Sequence, residues 1–351
     1  MIKELFQKED RVSFSDFVRY ALYGPNGYYK KDITIEHKND FHTSPLISKL
    51  FGATIGNFFS KIILEKFPTN TVSIIELGSN DGRLISDILD FFSEHHLDIY
   101  ERLEVFILET NSSLKKKLIN NLQSHQDLIV LVDSINTIKS KTKKGIVFCN
   151  ELFDALPFNR CIVKNGKCFQ INLLANQDGI SGKEEEADKN LIKFINRFNL
   201  KMKEDLFFEL PSSEYETIFK DLSQQLDETF FLISDYGDKS NYFSVSSDPL
   251  GTARCFYKHQ VSRNFYENIF SQDITHDVNF SLLSQIASCY GFKEIAFVSQ
   301  AKFLLDNNIL DIYDNYDDSE KLKLGQGLKE LVSPNLLGEK FKFLFLESSL
   351  C

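Results

Sequence analysis

Tryptophan is absent, methionine occurs twice and proline only seven times in 351 residues. Neither these nor the 16 glycines form an internal repeat or a low-complexity tract. Basic residues are outnumbered, 40 Lys and Arg against 50 Asp and Glu, and the formal charge is −10. A surface of that sign does not grip phosphate backbones, so nucleic acid is not expected as the main partner. The six cysteines at 149, 161, 168, 255, 289 and 351 never form C-x-x-C, and no Cys/His pair has zinc-like spacing. They read as reduced thiols of an intracellular protein, mostly packed, and no metal site is expected. The stretch Met1 to Phe6 lacks the basic and apolar regions of a signal peptide and the arginine-rich look of a transit peptide. The longest apolar runs, such as Phe341 to Leu346, are strand-sized and interrupted by Lys342, far short of the roughly 20 residues of a membrane helix. A cytoplasmic protein without membrane insertion is the expectation. No coiled-coil seam or interface stripe sets an oligomeric state.

What is present is a core: apolar residues make up 42 %, with 33 Phe and 13 Tyr, the mix of a folded globular chain. The length allows one large domain, or a core carrying an insertion. Phe14, Phe17, Val18, Ala21 and Leu22 follow Ser13 at helical spacing and stop at Gly24-Pro25-Asn26-Gly27. Ser44-Pro45 opens a second helical pattern through Leu46, Ile47, Leu50, Phe51, Ile55 and Phe58. From Thr71 the period changes. Val72 to Leu77 reads as a buried strand, followed by a turn with Gly78 and Gly82 and a helix through Leu84, Ile88 and Phe92. Strands at Leu103 to Glu109, Ile129 to Val132 and Gly145 to Cys149 continue the alternation, which predicts a parallel α/β sheet covered on both faces. Residues 160 to 210 break it with a hairpin at Asn165-Gly166, a solvated acidic loop containing Glu184 to Glu186, and a helix from Leu191 to Phe198. The sheet resumes at Thr229 to Asp235, departs again between 236 and 290, and ends with strands at Phe292 to Ser299 and Lys340 to Glu347. Gly325-Gln326-Gly327 reads as a local turn.

The first strand hands over to a helix through Glu76-Leu77-Gly78-Ser79-Asn80-Asp81-Gly82. Small residues at that place let backbone N–H groups approach a ligand. The second strand ends in Glu109, where a carboxylate can accept both ribose hydroxyls of an adenosine. NAD and S-adenosylmethionine (SAM) both satisfy such a pair. However, NAD wants G-x-G-x-x-G under a pyrophosphate, whereas here position 80 is Asn and Asp81 repels phosphate, so the loop favours a cationic sulfonium. Asn150-Glu151-Leu152-Phe153-Asp154 follows the fourth strand and Asp235-Tyr236-Gly237 ends the next, placing acids at neighbouring strand tips.

Glu76-Leu77-Gly78-x-x-x-Gly82, Asn150-Glu151-x-Phe153-Asp154-Ala155-Leu156-Pro157 and Asp235-Tyr236-Gly237 resemble the MidA-type SAM-dependent methyltransferases, whose mitochondrial relative is a protein-arginine methyltransferase acting in assembly of respiratory complex I. Gly27-Tyr28-Tyr29, Asp40-Phe41-His42-Thr43-Ser44-Pro45, Gly251-Thr252 and Asp273-Ile274-Thr275 with Val278-Asn279-Phe280 extend the resemblance along nearly the whole chain. It departs at Gly78-Ser79-Asn80-Asp81-Gly82, which lacks a middle glycine, and at Leu46, where the family has an acid. Asn80 tolerates a left-handed backbone, so the loop is expected to keep its shape.

The resemblance implies a Rossmann-like class I methyltransferase core, a seven-stranded, mostly parallel α/β sheet with one antiparallel strand. Residues 1–70 are then a helical segment covering the active site, and 71–351 are the SAM-binding core with insertions at about 160–210 and 236–290. It implies SAM as cofactor, held by Glu76, Gly78, Asn80, Gly82, Glu109, Asn150 and Glu151 with Thr43, Ser44 and Pro45, and Asp40 beside these at the acceptor entrance. Glu151, Asp154 and Asp235 are the catalytic candidates, since a guanidinium demands bidentate acceptors. The implied partner is a protein substrate, a respiratory-chain subunit among them. The rival readings are an assembly protein retaining the fold without catalysis, and an NAD-linked oxidoreductase. His42, His259 and His276 read as structural histidines of aromatic stretches.

Overall fold

The computed structural model describes residues 5–6, 11–30, 43–176 and 179–349. Residue contacts divide the chain into two compact units. One takes the described residues of Met1–Asp40 with Phe153–Thr217 and Gly237–Ala287; the other takes those of Phe41–Leu152, Ile218–Tyr236 and Ser288–Cys351.

The second unit is built on a twisted sheet of β1 (Val72–Leu77), β2 (Leu103–Leu108), β3 (Ile129–Val132), β4 (Lys144–Asn150), β5 (Glu228–Asp238), β6 (Lys293–Ser299) and β7 (Phe341–Ser349). Their order is β3-β2-β1-β4-β5-β7-β6. All neighbours are parallel except that β7 runs antiparallel to both β5 and β6. This is the expected α/β class with its single reversed strand. β1 is buried along its whole length, which is why it reads as an unbroken apolar run rather than an alternating one. Helices Lys49–Lys66 and Arg83–His95 share one core with the sheet, where Phe51, Phe59 and Ile63 meet Ile74, Ile88, Phe92 and Phe148. The order reverses direction between β1 and β4, and ligands of such sheets sit outside the carboxyl ends of the strands at that switch.

The first unit holds an antiparallel sheet ordered Arg11–Ser13, Lys167–Asn176, Phe158–Lys164 and Phe207–Pro211, with Gly179–Glu186 also paired to Lys167–Asn176. A smaller sheet is made of Gln260–Ser262, Arg254–Tyr257 and Asp273–Thr275. Helix Phe14–Tyr23, capped as its sequence indicated by Ser13 accepting from the Asp16 N–H, buries Phe14 against Phe158 and Phe265.

Three local expectations are corrected. The acidic run Glu184 to Glu186 is largely exposed, as expected, but lies on a strand and not in a loop. Cations compensate its charge: Lys164 pairs Glu184, Lys167 pairs Glu186 and Arg11 meets Glu185 from other strands, and Lys183 of the same strand also meets Glu185. The helical pattern beginning at Ser44 is two helices, Ser44–Ile47 and Lys49–Lys66, separated by an extended Ser48 whose hydroxyl accepts from the Leu50 N–H. Gly325 and Gly327 sit inside helix Asp318–Val332 instead of forming a turn. A Cβ at Gly327 would lie 2.9 Å from that of Ser48, so close approach of two elements, not chain reversal, accounts for this glycine.

Cys149, Cys161, Cys168 and Cys255 are buried, Cys289 is exposed, and Cys351 lies outside the described residues. Among the described residues no helix is long and apolar enough to cross a membrane.

Candidate functional site

The loop after β1 keeps its shape with two glycines and an asparagine in left-handed backbone: φ is 74° at Gly78, 54° at Asn80 and 80° at Gly82. Asn80 therefore does what its residue type allowed. A Cβ on Gly82 would stand 3.0 Å from the Leu118 side chain and 3.2 Å from Leu122, so this position excludes a side chain by space as well as by φ. Gly78 and Asn80 are exposed, while Ser79 between them is buried and donates its hydroxyl to Glu76. Burial pushes the Glu76 carboxyl up to about 8, helped by Asp81 and Glu109 and opposed by the Ser79 hydrogen bond. Asp81 serves the helix start locally, accepting from the Arg83 N–H at 3.3 Å.

Glu109, just beyond β2, is buried. Its Oε2 accepts from the Asn80 N–H at 3.2 Å and its Oε1 from the Asn111 N–H at 2.7 Å. The carboxylate expected to meet a ribose thus also fixes the loop carried by β1. Asn111 caps helix Ser112–Asn121 through the N–H groups of Ser113 and Leu114. Sequence reasoning missed Ser79 and Asn111; the N-cap pattern Asn-Ser-Ser-Leu after a strand was the available signal for the second.

On the other side of β1, β4 ends at Asn150 and Glu151 turns the chain with φ 52°. The Glu151 N–H donates to the Ser234 carbonyl at 2.9 Å, and Asn150 Nδ2 donates to Glu151 Oε1 at 3.0 Å. Asn150 and Ser234 are register partners in β4 and β5. Asn150 Oδ1 and Ser234 Oγ are both buried with no hydrogen-bond partner among the described residues. Leaving such groups unmet costs about 1–3 kcal/mol each, which is what a polar ligand site looks like before its ligand is counted. Ser234 also escaped the sequence reading, since only strand register places it beside Asn150. Asp235, the next residue, is fully buried and accepts from the Tyr236 N–H at 2.9 Å.

The remaining expected site residues fall elsewhere. Ser44 is buried and its hydroxyl is committed to Gln300 Oε1 at 2.8 Å, with Gln300 in turn donating to the Leu331 carbonyl. Thr43 and Pro45 flank it, half-buried, at the start of that helix. Asp40 and His42 lie outside the described residues. Asp154 belongs to the first unit, where its side chain is buried and its carbonyl accepts from the His276 N–H at 3.2 Å. His276 is buried against Phe158 at 4.4 Å, with Nδ1 3.0 Å from the Asp277 carbonyl, the packing role its surroundings indicated.

The chain matches, over residues 54–298, the family described as "Putative S-adenosyl-L-methionine-dependent methyltransferase". That is well over half of its length. The chain belongs to this family. Its methyl donor is SAM. Curated relatives include "Protein arginine methyltransferase NDUFAF7, mitochondrial" of Rattus norvegicus, 25 % identical over 370 residues covering 95 % of this chain and 80 % of the relative. The Drosophila melanogaster homologue of the same name is 24 % identical, with the same coverage of both chains. A crystal structure titled as a "likely methyl transferase from Burkholderia thailandensis bound to S-adenosyl-homocysteine" shares the fold, with a TM-score of 0.83 at 21 % identity over 99 % of this chain and 91 % of that one.

The residues of this methyltransferase fit that cofactor. The exposed Gly78 and Asn80 present backbone at the switch point, the acids around them suit a sulfonium cation, and Asn150 and Ser234 offer a buried acceptor and a hydroxyl on the opposite side of β1.

Proposed function

We propose that this methyltransferase transfers a methyl group from SAM to an arginine side chain of a protein. The observation that carries the reading is the pair of carboxylates Glu151 and Asp235, each one residue beyond the register partners Asn150 and Ser234 of β4 and β5; the names of the relatives support the same acceptor. Bound SAM supplies an electrophilic methyl on a positively charged sulfur. Glu109 accepts the ribose hydroxyls while holding the Asn80 loop in place. Gly78 and Gly82 shape the loop for the methionine end, Glu76 supports that loop through Ser79, and Asn150 and Ser234 satisfy polar groups of the cofactor. Thr43 and Pro45 contribute through their helix start, with Ser44 holding that start to Gln300.

Transfer to nitrogen is an in-line displacement, so the protein's task is alignment and exclusion of water rather than covalent catalysis. The guanidinium carries permanent charge and a planar fork of donors, which carboxylates match. Glu151 and Asp235 are assigned to holding it and to receiving the proton released on methylation. A respiratory-chain subunit is the acceptor class to which the family resemblance points. The test is incubation with methyl-labelled SAM and a cell extract, followed by mass spectrometry of labelled peptides. Methyl groups on arginine are expected; label on lysine or on small molecules alone would sink the arginine reading, and SAM bound without any transfer would favour the non-catalytic alternative.

A further inference from the structure

One acid of the cofactor loop has surroundings that the other two do not share. Glu76 is 3 % exposed, and its register partners are Ile107 on β2 and Phe148 on β4, so apolar side chains flank it across the sheet. Glu109 is also buried, but the N–H groups of Asn80 and Asn111 meet its two oxygens. Asp81 is half-buried and pairs with Arg83 at 3.8 Å. Glu76 accepts the Ser79 hydroxyl and forms no ion pair among the described residues; the charges that bear on it belong to Asp81 and Glu109, both of its own sign. A carboxylate so placed is costly unless it keeps its proton or meets a cation. Burial first, with Asp81 and Glu109 adding to it, holds the Glu76 carboxyl at about 8, so at neutral pH the proton stays on.

We propose that Glu76 reads the charge on the cofactor sulfur, giving up its proton when SAM binds and keeping it when S-adenosylhomocysteine binds. The two ligands differ only in the sulfonium methyl and the positive charge that goes with it, so contacts to the adenosine and to the methionine end cancel between them. A unit charge brought to the loop that follows Glu76 acts through a medium of low dielectric, where it weighs more than in water, and it favours the carboxylate. The Glu76 proton passes to solvent, the sulfonium matches the negative charge left behind, and the Ser79 hydroxyl is already in place to donate to that charge. Once the methyl has gone and the sulfur is a neutral thioether, Glu76 takes a proton back from solvent. Glu76 is therefore a positioning residue that sets the preference for SAM over its product, and this holds whatever side chain receives the methyl.

The test is calorimetric titration of the full chain with SAM and with S-adenosylhomocysteine in buffers of differing ionisation enthalpy, which counts the protons released. At about pH 7, SAM should release roughly half a proton or more beyond what S-adenosylhomocysteine releases. Between about pH 6 and pH 8 the affinity for SAM should rise about tenfold relative to that for S-adenosylhomocysteine. In Glu76→Gln, which mimics the protonated acid at every pH, the two proton counts should coincide and the pH dependence of the affinity ratio should vanish. Ser79→Ala removes a hydrogen bond that favours the carboxylate, so the dependence should move to higher pH; this variant carries the test should Glu76→Gln fail to fold. Equal proton release by the two ligands in the wild type overturns the linkage. So does a difference that survives in Glu76→Gln, which would place the proton on another acid, and so does a dependence left unmoved in Ser79→Ala. Methyl transfer from labelled SAM alongside any of these results overturns the linkage alone and leaves the methyltransferase standing.

Discussion

The cofactor-side residues and the buried acid of the first unit are put together in opposite ways. Around β1 the side chains come from strand tips and the turns that follow them: Gly78, Asn80, Glu109, Asn150 and Ser234 all lie at carboxyl ends of parallel strands. Parallel pairing alone brings such residues to one edge. In the first unit, Tyr29, Asp154 and Asp273 come from a short helical turn, a post-strand loop and a three-residue strand more than a hundred residues apart from one another. Here hydrogen bonds such as Tyr29 to Asp273 and Tyr23 to Ala155 set the assembly, not sheet topology. An assembly made by topology tolerates change in the loop so long as backbone shape is kept, whereas one made by side-chain bonds fails when a single bonding group is removed.

The largest effect expected from this contrast is at Glu209. It is buried, accepts from the N–H groups of Thr252 and Ala253 and the Thr252 hydroxyl, and lies 3.9 Å from the buried Arg160. Glu209→Ala should cost about 3–5 kcal/mol, because it leaves a buried cation and several donors unmet. Denaturant unfolding checks the loss, and SAM affinity measured below the transition should change less than threefold; a larger drop would break the division drawn above. Next is Gly82→Val, which combines left-handed φ with contact against Leu118 and Leu122. It should destabilise by about 2–4 kcal/mol and abolish measurable SAM binding, whereas Asn80→Gly should retain it. Retention of SAM binding by Gly82→Val would show that loop shape is not the controlling feature.

A pH series sharpens the same comparison. Glu76 has its folded pKa raised from the usual carboxylate range to about 8 and Asp87 to about 7, each chiefly by burial. For a raised acid the folded state binds the proton more tightly, so the contribution is complete below the unfolded pKa, 4.5 for Glu76 and 3.8 for Asp87, and is lost as pH rises through the folded value. Stability in the absence of ligand should therefore decline between about pH 5 and pH 8. Glu76→Gln and Asp87→Asn should each flatten part of that slope in thermal melts, and an unchanged slope in both would contradict the assignment. The smallest effect expected is for Glu109→Ala, which removes acceptors for the Asn80 and Asn111 N–H groups. SAM affinity should fall about tenfold, roughly 1.4 kcal/mol, with little change in the fold; calorimetry that shows no change would remove Glu109 from the ribose.

The strand-tip residues were legible because their signals are local. A buried β-run followed by small residues, and an acid at the end of the next strand, are written within a few positions of each other. Ser44 shows the limit of that logic: its motif marks a helix start, yet the hydroxyl goes to Gln300, 256 residues away. The acidic strand Gly179–Glu186 shows another, since three successive glutamates look like a loop until the lysines of neighbouring strands are known.

The chain's own order of residues determined the α/β alternation, the left-handed turns at Gly78, Asn80 and Gly82, and the placing of Glu109 and Asn150 at strand ends, because backbone sterics and hydrophobic period act over neighbouring residues. Only the tertiary structure decided that Ser234 stands beside Asn150, that Gly327 packs on Ser48 and that Tyr29 meets Asp273. Each of those depends on strand register or close packing between distant segments, and these are settled by which buried groups find partners when the whole core closes.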